Sequence, residues 1–590
     1  MNKPLVLAVA LVAAGVSQAL YADAAPPASA PQVPAWVTES NQDSQIVLKT
    51  LASFSPEGAG QLGVDGLDEQ ATSMPLDVSK RTDKAIDEAV KQLKAKLAKA
   101  SDPHLKQDLQ ILIDAAEGAK RDNDLQTKYM LTYVDVPQLV FNGVHGLIDK
   151  QVPDERQQHV VKRMESYAGM LKGRPSISTQ GKALFEADLK RDPKLLGPYT
   201  AEIAQYIDDD QHYVDGIEKM LSDSKVQGWQ EVWAKLKPQL TDYIAWTKST
   251  VVPHARTESH LPYEIYANSL KDLGVTEDPK ELIKEAEFSF SEIQHQLEGM
   301  AILVAKQDNL PSSDYRDVIR ELKKKQLTPD NILPFYKQRL AAIEDIIRQH
   351  HIVTLPQRDM VIRMGTDAET AQEPAPHMDS PRLIGNTGEY GEFILPNNAG
   401  QPGGMDDDTF DAAAWTLTSH EGRPGHELQF SNMIENGTSI ARAAFAFNSA
   451  NVEGWALYSE AEMQPYEPIE GQMIALRDRL LRAARAFLDP MVNLGMIKPD
   501  DAKAFLEREV VLSPAFAKEE ADRFAFRWPG QATSYYFGYH NFLTMRGRAE
   551  VELGDKFDRQ KFNDFILSQG LLPPDLMQQA VDNEFIPSQK

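Results

Sequence analysis

The 590-residue chain contains no cysteine. That absence excludes disulfides, a cysteine nucleophile and a lipid carried on a cysteine thiol, so stability must come from the core alone. Positive charge is also scarce: 62 Lys and Arg stand against 87 Asp and Glu, a formal charge of -25. Phosphate binding needs clustered Lys and Arg, so a nucleic-acid partner is excluded. The chain has no GxSxG elbow, no P-loop and no GxGxxG after a strand. "SDSK" (Ser222–Lys225) matches SxxK but lacks its SDN and KTG companions. What remains is ordinary for a globular protein, with 42% hydrophobic and 25% charged residues. The length suits several domains or one large enzyme-sized body.

Long apolar runs are missing except at the N-terminus. There Lys3 precedes "LVLAVALVAAGV" (Leu5–Val16), and "ADA" (Ala22–Ala24) offers a small-x-small cleavage site, with "SQA" (Ser17–Ala19) as competitor. The run is short for a membrane span of roughly 20 residues. The expectation is a cleaved signal peptide over 1–24, then a Pro/Ala linker over 25–40 ("APPASAPQVPAW" and beyond), with no membrane anchor after cleavage. Export without disulfides fits a bacterial periplasm.

From about Asp43 to Arg348 helical periodicity dominates, which predicts a mainly α protein with a helical N-terminal lobe over 41–352. Thr82–Ala100, Asp278–Lys306 and Pro334–His351 all read as amphipathic helices, the first with a Thr cap. The pattern changes near Val353, where a catalytic lobe over 353–590 is expected to begin. "RDMVIRMGT" (Arg358–Thr366) and "YGEFILPNNAGQPGG" (Tyr390–Gly404) read as strands, separated by the irregular "AQEPAPHMDSPRL". "DDDTFDAAAWTLTSHEG" (Asp406–Gly422) then reads as a capped helix. A small sheet beside that helix could lay an extended peptide along its edge.

The helix leads into "TSHEGRPGHELQF" (Thr418–Phe430). In HExxH two histidines four apart face one metal. His420 and His426 are six apart; on an unbroken helix they would diverge by about 120° and lie about 9 Å apart along the axis. Pro424, however, cannot donate to the His420 carbonyl and clashes with it, and Gly425 can take φ > 0 and reverse the chain. The spacing and the Pro-Gly pair therefore predict a helix that breaks after Glu421, with a second helix opening at His426. "NSANVEGWALYSEAEM" (Asn448–Met463) supplies Glu453, 27 residues after His426, as a candidate third metal ligand. His₂Glu zinc sites keep a fourth position for water. Glu460, seven positions later on nearly the same helical face, could hydrogen-bond a ligand imidazole.

These motifs, "HEGRPGHELQ", "EGWALYSE" and "WPGQATSYYFG", resemble the bacterial family catalogued as domain of unknown function 885, considered related to the zinc peptidases with Glu as third ligand. The resemblance implies a two-lobed metallopeptidase-like fold with a deep cleft, similar to thimet oligopeptidase and carboxypeptidase Taq. It also implies His420, His426 and Glu453 as ligands of one Zn²⁺ and Glu421 as catalytic base. Where relatives often carry a Gly-rich stretch before an ExY element, this chain reads "HLPYEIYANSL" (His260–Leu270), with Glu264 and Tyr266 in the ExY positions.

Gly530–Gly554 reads as a helix on which Tyr535, Tyr539, Phe542 and Arg546 share a face. If that face lines a cleft, Tyr535 could stabilise an oxyanion. Tyr539 and Arg546 could contact substrate, Arg546 by clamping a carboxylate. His540, on an adjacent face, is a second oxyanion candidate. The competing reading is a core stripe, with Arg546 paired to an acidic residue. Together these residues predict a periplasmic zinc metallopeptidase acting on short peptides, with carboxypeptidase or dipeptidyl carboxypeptidase action as the finer expectation. A non-peptide metal-dependent amidase and a non-catalytic periplasmic binding protein are the alternatives.

Overall fold

A computed structural model describes residues 33–148, 152–366, 369–370, 373, 375–386, 389, 391–401 and 406–590. The expected signal peptide and the first part of the expected linker lie outside them. The rest of that linker is helix: α1 (Ala35–Phe54) starts directly after Pro34 and buries Val37, Ser40, Ser44, Val47, Leu48 and Leu51 at helical spacing. A proline just before a helix forfeits no intrahelical hydrogen bond, so the Pro-rich composition concealed the start.

The long amphipathic helices are present. Val78–Leu97 forms α2, which starts a turn earlier than expected, so Thr82 is a buried interior residue and not the cap. Pro279–Asp308 forms α3, with Asp278 accepting from the Lys280 N–H at 2.9 Å and Pro279 in the first turn, where its missing N–H costs nothing. Ile332–His350 forms α4.

The strands β1 (Val361–Met364) and β3 (Glu392–Leu395) lie in the two stretches expected to hold them. They pair in parallel, Val361 opposite Glu392 and Met364 opposite Leu395. Between them in sequence, β2 (His377–Asp379) adds antiparallel to β3, giving the order β1-β3-β2. The segment around β2 was expected to be irregular; three residues are too few to show the alternation that marks a strand.

The helix expected over Asp406–Gly422 is shorter. Its α-helical part is α5 (Ala413–Leu417). The acidic residues before it serve packing instead: Asp407 is fully buried and accepts from Lys323 Nζ at 2.6 Å and the Ser513 N–H at 3.0 Å. Then follow α6 (His426–Asn436), ended by Gly437 in the left-handed conformation, α7 (Ser449–Met463), α8 (Ile469–Asn493) and α9 (Thr533–Leu553).

One hydrophobic core draws only on residues 71–251. Among the described residues another, around Met378, Phe430 and Leu571, lies wholly beyond residue 353, and three run across it: α1 and α2 pack into the same core as Trp455, Tyr539 and Phe562, and α3 packs along α8. The candidate site is built from the second half of the chain on this shared foundation. Among the described residues no helix is long and apolar enough to cross a membrane.

Candidate metal centre

After α5 the helix widens into a π-turn over Thr418–Gly422 and stops one residue beyond the expected break. The Arg423–Pro424 peptide is cis, and α6 opens at His426. Gly425 is needed for a different reason from the one expected. Its φ is -76°, not positive, but a Cβ there would lie 1.9 Å from the His420 carbonyl oxygen and 2.5 Å from that of Ser419. The residue supplies room for two chain segments to touch. The turn is pinned from both sides. Arg423 Nε donates to Glu427 at 2.8 Å and its Nη1 to Glu344 at 2.6 Å, while Trp455 Nε1 donates to the Pro424 carbonyl at 2.9 Å.

The break brings the two histidines together, with ring centroids 4.8 Å apart at 85°. Glu453, on α7, completes the group: its Oε2 lies 3.5 Å from His420 Nε2 and 3.3 Å from His426 Nε2. A tetrahedral zinc with bonds of about 2.0–2.1 Å sets its donor atoms about 3.4 Å from one another, so these separations fit the ion. So does the rest of the chemistry. Glu453 Oε2 is buried without a hydrogen-bond partner. His420 Nδ1 faces Glu460 Oε1 at 2.6 Å, which places the ring proton on Nδ1 and leaves the Nε2 lone pair for a metal.

Glu421 stands beside this group. His420, Glu421 and His426 offer donor atoms within 4.8 Å of one another, with Glu421 Oε1 3.8 Å from His420 Nε2. Its Oε2 accepts from the Met378 N–H of β2 at 3.0 Å. That contact orients the carboxylate and uses the N–H that an added peptide strand would need at Met378.

The cluster favours positive charge at its centre. Burial works against protonating His420, but Glu453, Glu460 and Glu421 outweigh it and push its pKa up to about 10. Burial likewise opposes the Glu453 charge, yet the two histidines hold its carboxyl well below the usual range.

Sequence reasoning missed the arginines behind the site. Arg482 Nη2 and Thr416 Oγ1 hold the two Glu460 oxygens at 3.3 and 2.8 Å. Arg485 binds Glu520 through two hydrogen bonds, and Arg523 bridges Glu520 at 3.1 Å and the Tyr535 hydroxyl at 3.2 Å. The signal was available in "RDRLLRAARAFLD": Asp478, Arg482, Arg485 and Asp489 recur at helical spacing within an Ala- and Leu-rich helix. All four are buried.

The candidates on α9 separate. Tyr535 belongs to the site; its ring stacks 6.2 Å from that of His420, and the guanidinium of Arg485 lies 4.8 Å over it. Burial and the Glu453 charge raise its hydroxyl pKa, so the proton stays on. Tyr539 and Phe542 are buried in the core, Phe542 against Trp455 and Tyr458, as the core-stripe reading expects. Arg546 is not a free clamp: it ion-pairs with Glu462, donates to Glu550 at 2.7 Å and reaches the Tyr458 hydroxyl at 3.2 Å. His540 is exposed and packs 4.1 Å from the Tyr536 ring. Five residues of helix turn it about 140° from Tyr535, onto another side. Of the ExY positions, Tyr266 is buried and donates to Asp489 at 2.9 Å, and Glu264 pairs on the surface with Lys128.

The fold and site define a helix-rich protein with a buried His₂Glu cluster. Over residues 56–581 the chain matches the family described as "Bacterial protein of unknown function (DUF885)", and it belongs to that family. Two solved structures share its fold. One is a "putative lipoprotein" from Colwellia psychrerythraea, with a TM-score of 0.75, 16% identity and coverage of 93% of this chain and 99% of that one. The other, a "putative lipoprotein of unknown function" from Shewanella oneidensis, has a TM-score of 0.73, 18% identity and coverage of 93% and 100%. Comparison with curated proteins finds no relative.

Proposed function

We propose that the protein is an exported zinc-dependent peptidase that hydrolyses short peptides. The observation that carries this reading is the convergence of His420 Nε2 and His426 Nε2 on Glu453 Oε2 at 3.5 and 3.3 Å, with Glu421 alongside. The three side chains would hold one zinc ion per chain; when bound, it supplies a Lewis acid that polarises a carbonyl and lowers the pKa of water to ~7.

The chain's own groups divide the remaining work. Glu460 keeps His420 in the tautomer that presents Nε2. The Met378 N–H fixes one oxygen of Glu421, and the other takes a proton from the attacking water. As the C–N bond breaks, Glu421 returns that proton to the departing amine, so the peptide gains one water in total. The Tyr535 hydroxyl, steadied by Arg523, donates to the former carbonyl oxygen as charge develops there.

A cleft of the metallopeptidase kind that admits short chains is part of this proposal, from the resemblance alone. Arg546, the group that would select a free C-terminal carboxylate, is committed to Glu462 and Glu550, which leaves carboxypeptidase action without a residue to support it. The periplasmic location rests on the apolar segment after Lys3, and the relatives described as lipoproteins fit a place outside the cytoplasm.

The test is elemental analysis of the purified protein, followed by mass spectrometry of a defined mixture of short peptides and N-acyl amides. One zinc per chain with peptide cleavage that Glu421→Gln abolishes supports the reading. Cleavage of the amides alone would move it to the amidase. A zinc-loaded protein that leaves every substrate intact would sink the enzyme reading.

A further inference from the structure

Glu453 turns Oε2 towards both histidines, and its other oxygen is held from the turn that leads into α9. Gln531 Nε2 lies 3.5 Å from Glu453 Oε1 and 3.1 Å from the hydroxyl of Ser449, one turn earlier on α7. Gln531 is 2% exposed. Which end of its amide faces the cluster follows from the hydroxyls around it. Ser534 Oγ donates to the Gln531 carbonyl at 2.6 Å, which uses its one proton. Ser449 Oγ, 2.6 Å from Ser534 Oγ, is therefore the donor of that pair. Its lone pairs are left to accept, so the atom that meets it is the amide nitrogen. The ring of bonds closes on Gln531 itself, and the second amide N–H is left for the Glu453 carboxylate. At 3.5 Å that contact is long, but a charged acceptor draws an N–H more strongly than a neutral one.

The turn that carries Gln531 is fixed in its own right. Gly530 stands at φ +92°, and its N–H donates to the two oxygens of Asp489 at 2.9 and 3.0 Å. Asp489, fully buried on α8, accepts as well from the Tyr266 hydroxyl at 2.9 Å and from Asn493 Nδ2 at 3.1 Å. Tyr266 thus reaches the cluster in steps, through Asp489, the Gly530–Gln531 backbone and the Gln531 amide. The ExY tyrosine, far from Glu453 in the chain, acquires a place behind the site.

A carboxylate can ligate through one oxygen or two, whereas a His₂Glu zinc site works with three protein ligands and an open fourth position. We propose that Gln531 is a positioning residue: it holds Oε1 away, so that Glu453 serves the metal through Oε2 alone, and Tyr266 and Asp489 keep Gln531 in place. The assignment rests on the reading of His420, His426 and Glu453 as a metal centre. Glu460 orients His420; Gln531 does the same for Glu453.

The test is metal binding by Gln531→Met, which keeps length and bulk but has no N–H to give. Zinc affinity, measured by competition with a chelator, is expected to fall about 10–100-fold. The visible spectrum of the cobalt(II)-loaded protein is expected to change too, from the strong bands of a four-coordinate ion to the weaker ones of a five-coordinate ion, as Oε1 is released. The metal-free variant is expected to melt near wild type, which separates a lost position from a lost fold. Should Gln531→Met not fold, Ser449→Ala opens the same ring of bonds and is expected to weaken zinc binding several-fold. In a folded Gln531→Met background Ser449→Ala is expected to add little, because it acts through the amide. Wild-type zinc affinity with an unchanged cobalt spectrum in Gln531→Met, or in Ser449→Ala where that variant has to serve, would overturn the assignment and leave the metal centre standing. No uptake of zinc or cobalt by the wild-type protein would overturn the metal centre, and the assignment with it.

Discussion

Gly454, next to Glu453 on α7, and Gly538, one turn beyond Tyr535 on α9, meet backbone to backbone. A Cβ on Gly454 would lie 2.5 Å from the Gly538 carbonyl carbon, and one on Gly538 would lie 1.8 Å from the Ala450 carbonyl oxygen. This crossing sets the distance between the candidate ligand and the candidate oxyanion donor. A single methyl there forces two buried helices apart. Gly538→Ala is expected to destabilise the protein by about 1–3 kcal/mol or more and to lower its zinc content. Thermal unfolding and elemental analysis check both, and a variant with wild-type values would show that the helices can slide without cost.

Glu460 touches His420 Nδ1 at 2.6 Å and is itself held by Thr416 and Arg482. Glu460→Gln keeps the shape but can present its amide N–H to the imidazole, which favours the wrong tautomer. Losing such a partner typically costs about 10–100-fold in metal affinity. Competition with a chelator of known strength measures this. Unchanged affinity would mean that His420 is oriented by packing alone.

The sequence made the helices legible because their apolar faces repeat over many turns, as in Pro279–Asp308. It made the approach of His420 and His426 legible because Pro424 forbids a regular helix between the histidines. It hid three things for separate reasons. The β2 strand is too short to show a period. The start of α1 is masked by prolines outside the helix. Arg482 and Arg485 leave only a spacing within an Ala- and Leu-rich helix as their sign, and that Glu460, Glu520 and Tyr535 are their partners follows only from the tertiary packing of α8. Arg546 is occupied from two directions: Glu550 lies one helical turn further along α9, and Glu462 comes within reach only once α7 and α9 have crossed.

The charge balance of the cluster predicts how pH acts on the metal-free protein. The folded pKa of His420, about 10, lies above its ordinary 6.5, so its contribution is fully present below about 6.5 and is lost as pH rises towards 10. Glu453 is depressed below its ordinary 4.5, so its contribution is present above that value and is lost only as pH falls through the depressed one. Metal-free protein should therefore melt at progressively lower temperature from pH 6.5 to 9. Zinc uptake at pH 7 should release about one proton, because a ligand imidazole must be neutral. Melting curves and a pH-stat titration read the two effects; a flat melting temperature with no proton release would contradict the assignment.

Arg546→Ala should behave as a structural variant. It strips the nearer of two cationic partners from Glu462, which is 9% exposed and keeps Arg559 at 3.7 Å, so the cost should stay below the about 3–5 kcal/mol of a buried charge left wholly unpaired. Discrimination between a peptide and its C-terminal amide should not change. A selective loss of activity on free carboxylates, with stability intact, would restore the clamp and with it a carboxypeptidase.

Tyr535→Phe isolates the hydroxyl. Its ring would keep its place between His420 and Arg485, so metal content and stability should stay near wild type. Only the hydrogen bond to the developing oxyanion would be lost, a change that typically costs about 10²–10³ in kcat. Arg523 acts one step back, through its 3.2 Å bond to that hydroxyl. Arg523→Lys should therefore lower kcat less than Tyr535→Phe does. In the Tyr535→Phe background it should add little, because residues that act through one another are not additive. Steady-state kinetics on the single and double variants test the order of the chain. Full additivity of the two effects would place Arg523 on the substrate itself, and normal kcat in Tyr535→Phe would remove the tyrosine from the mechanism.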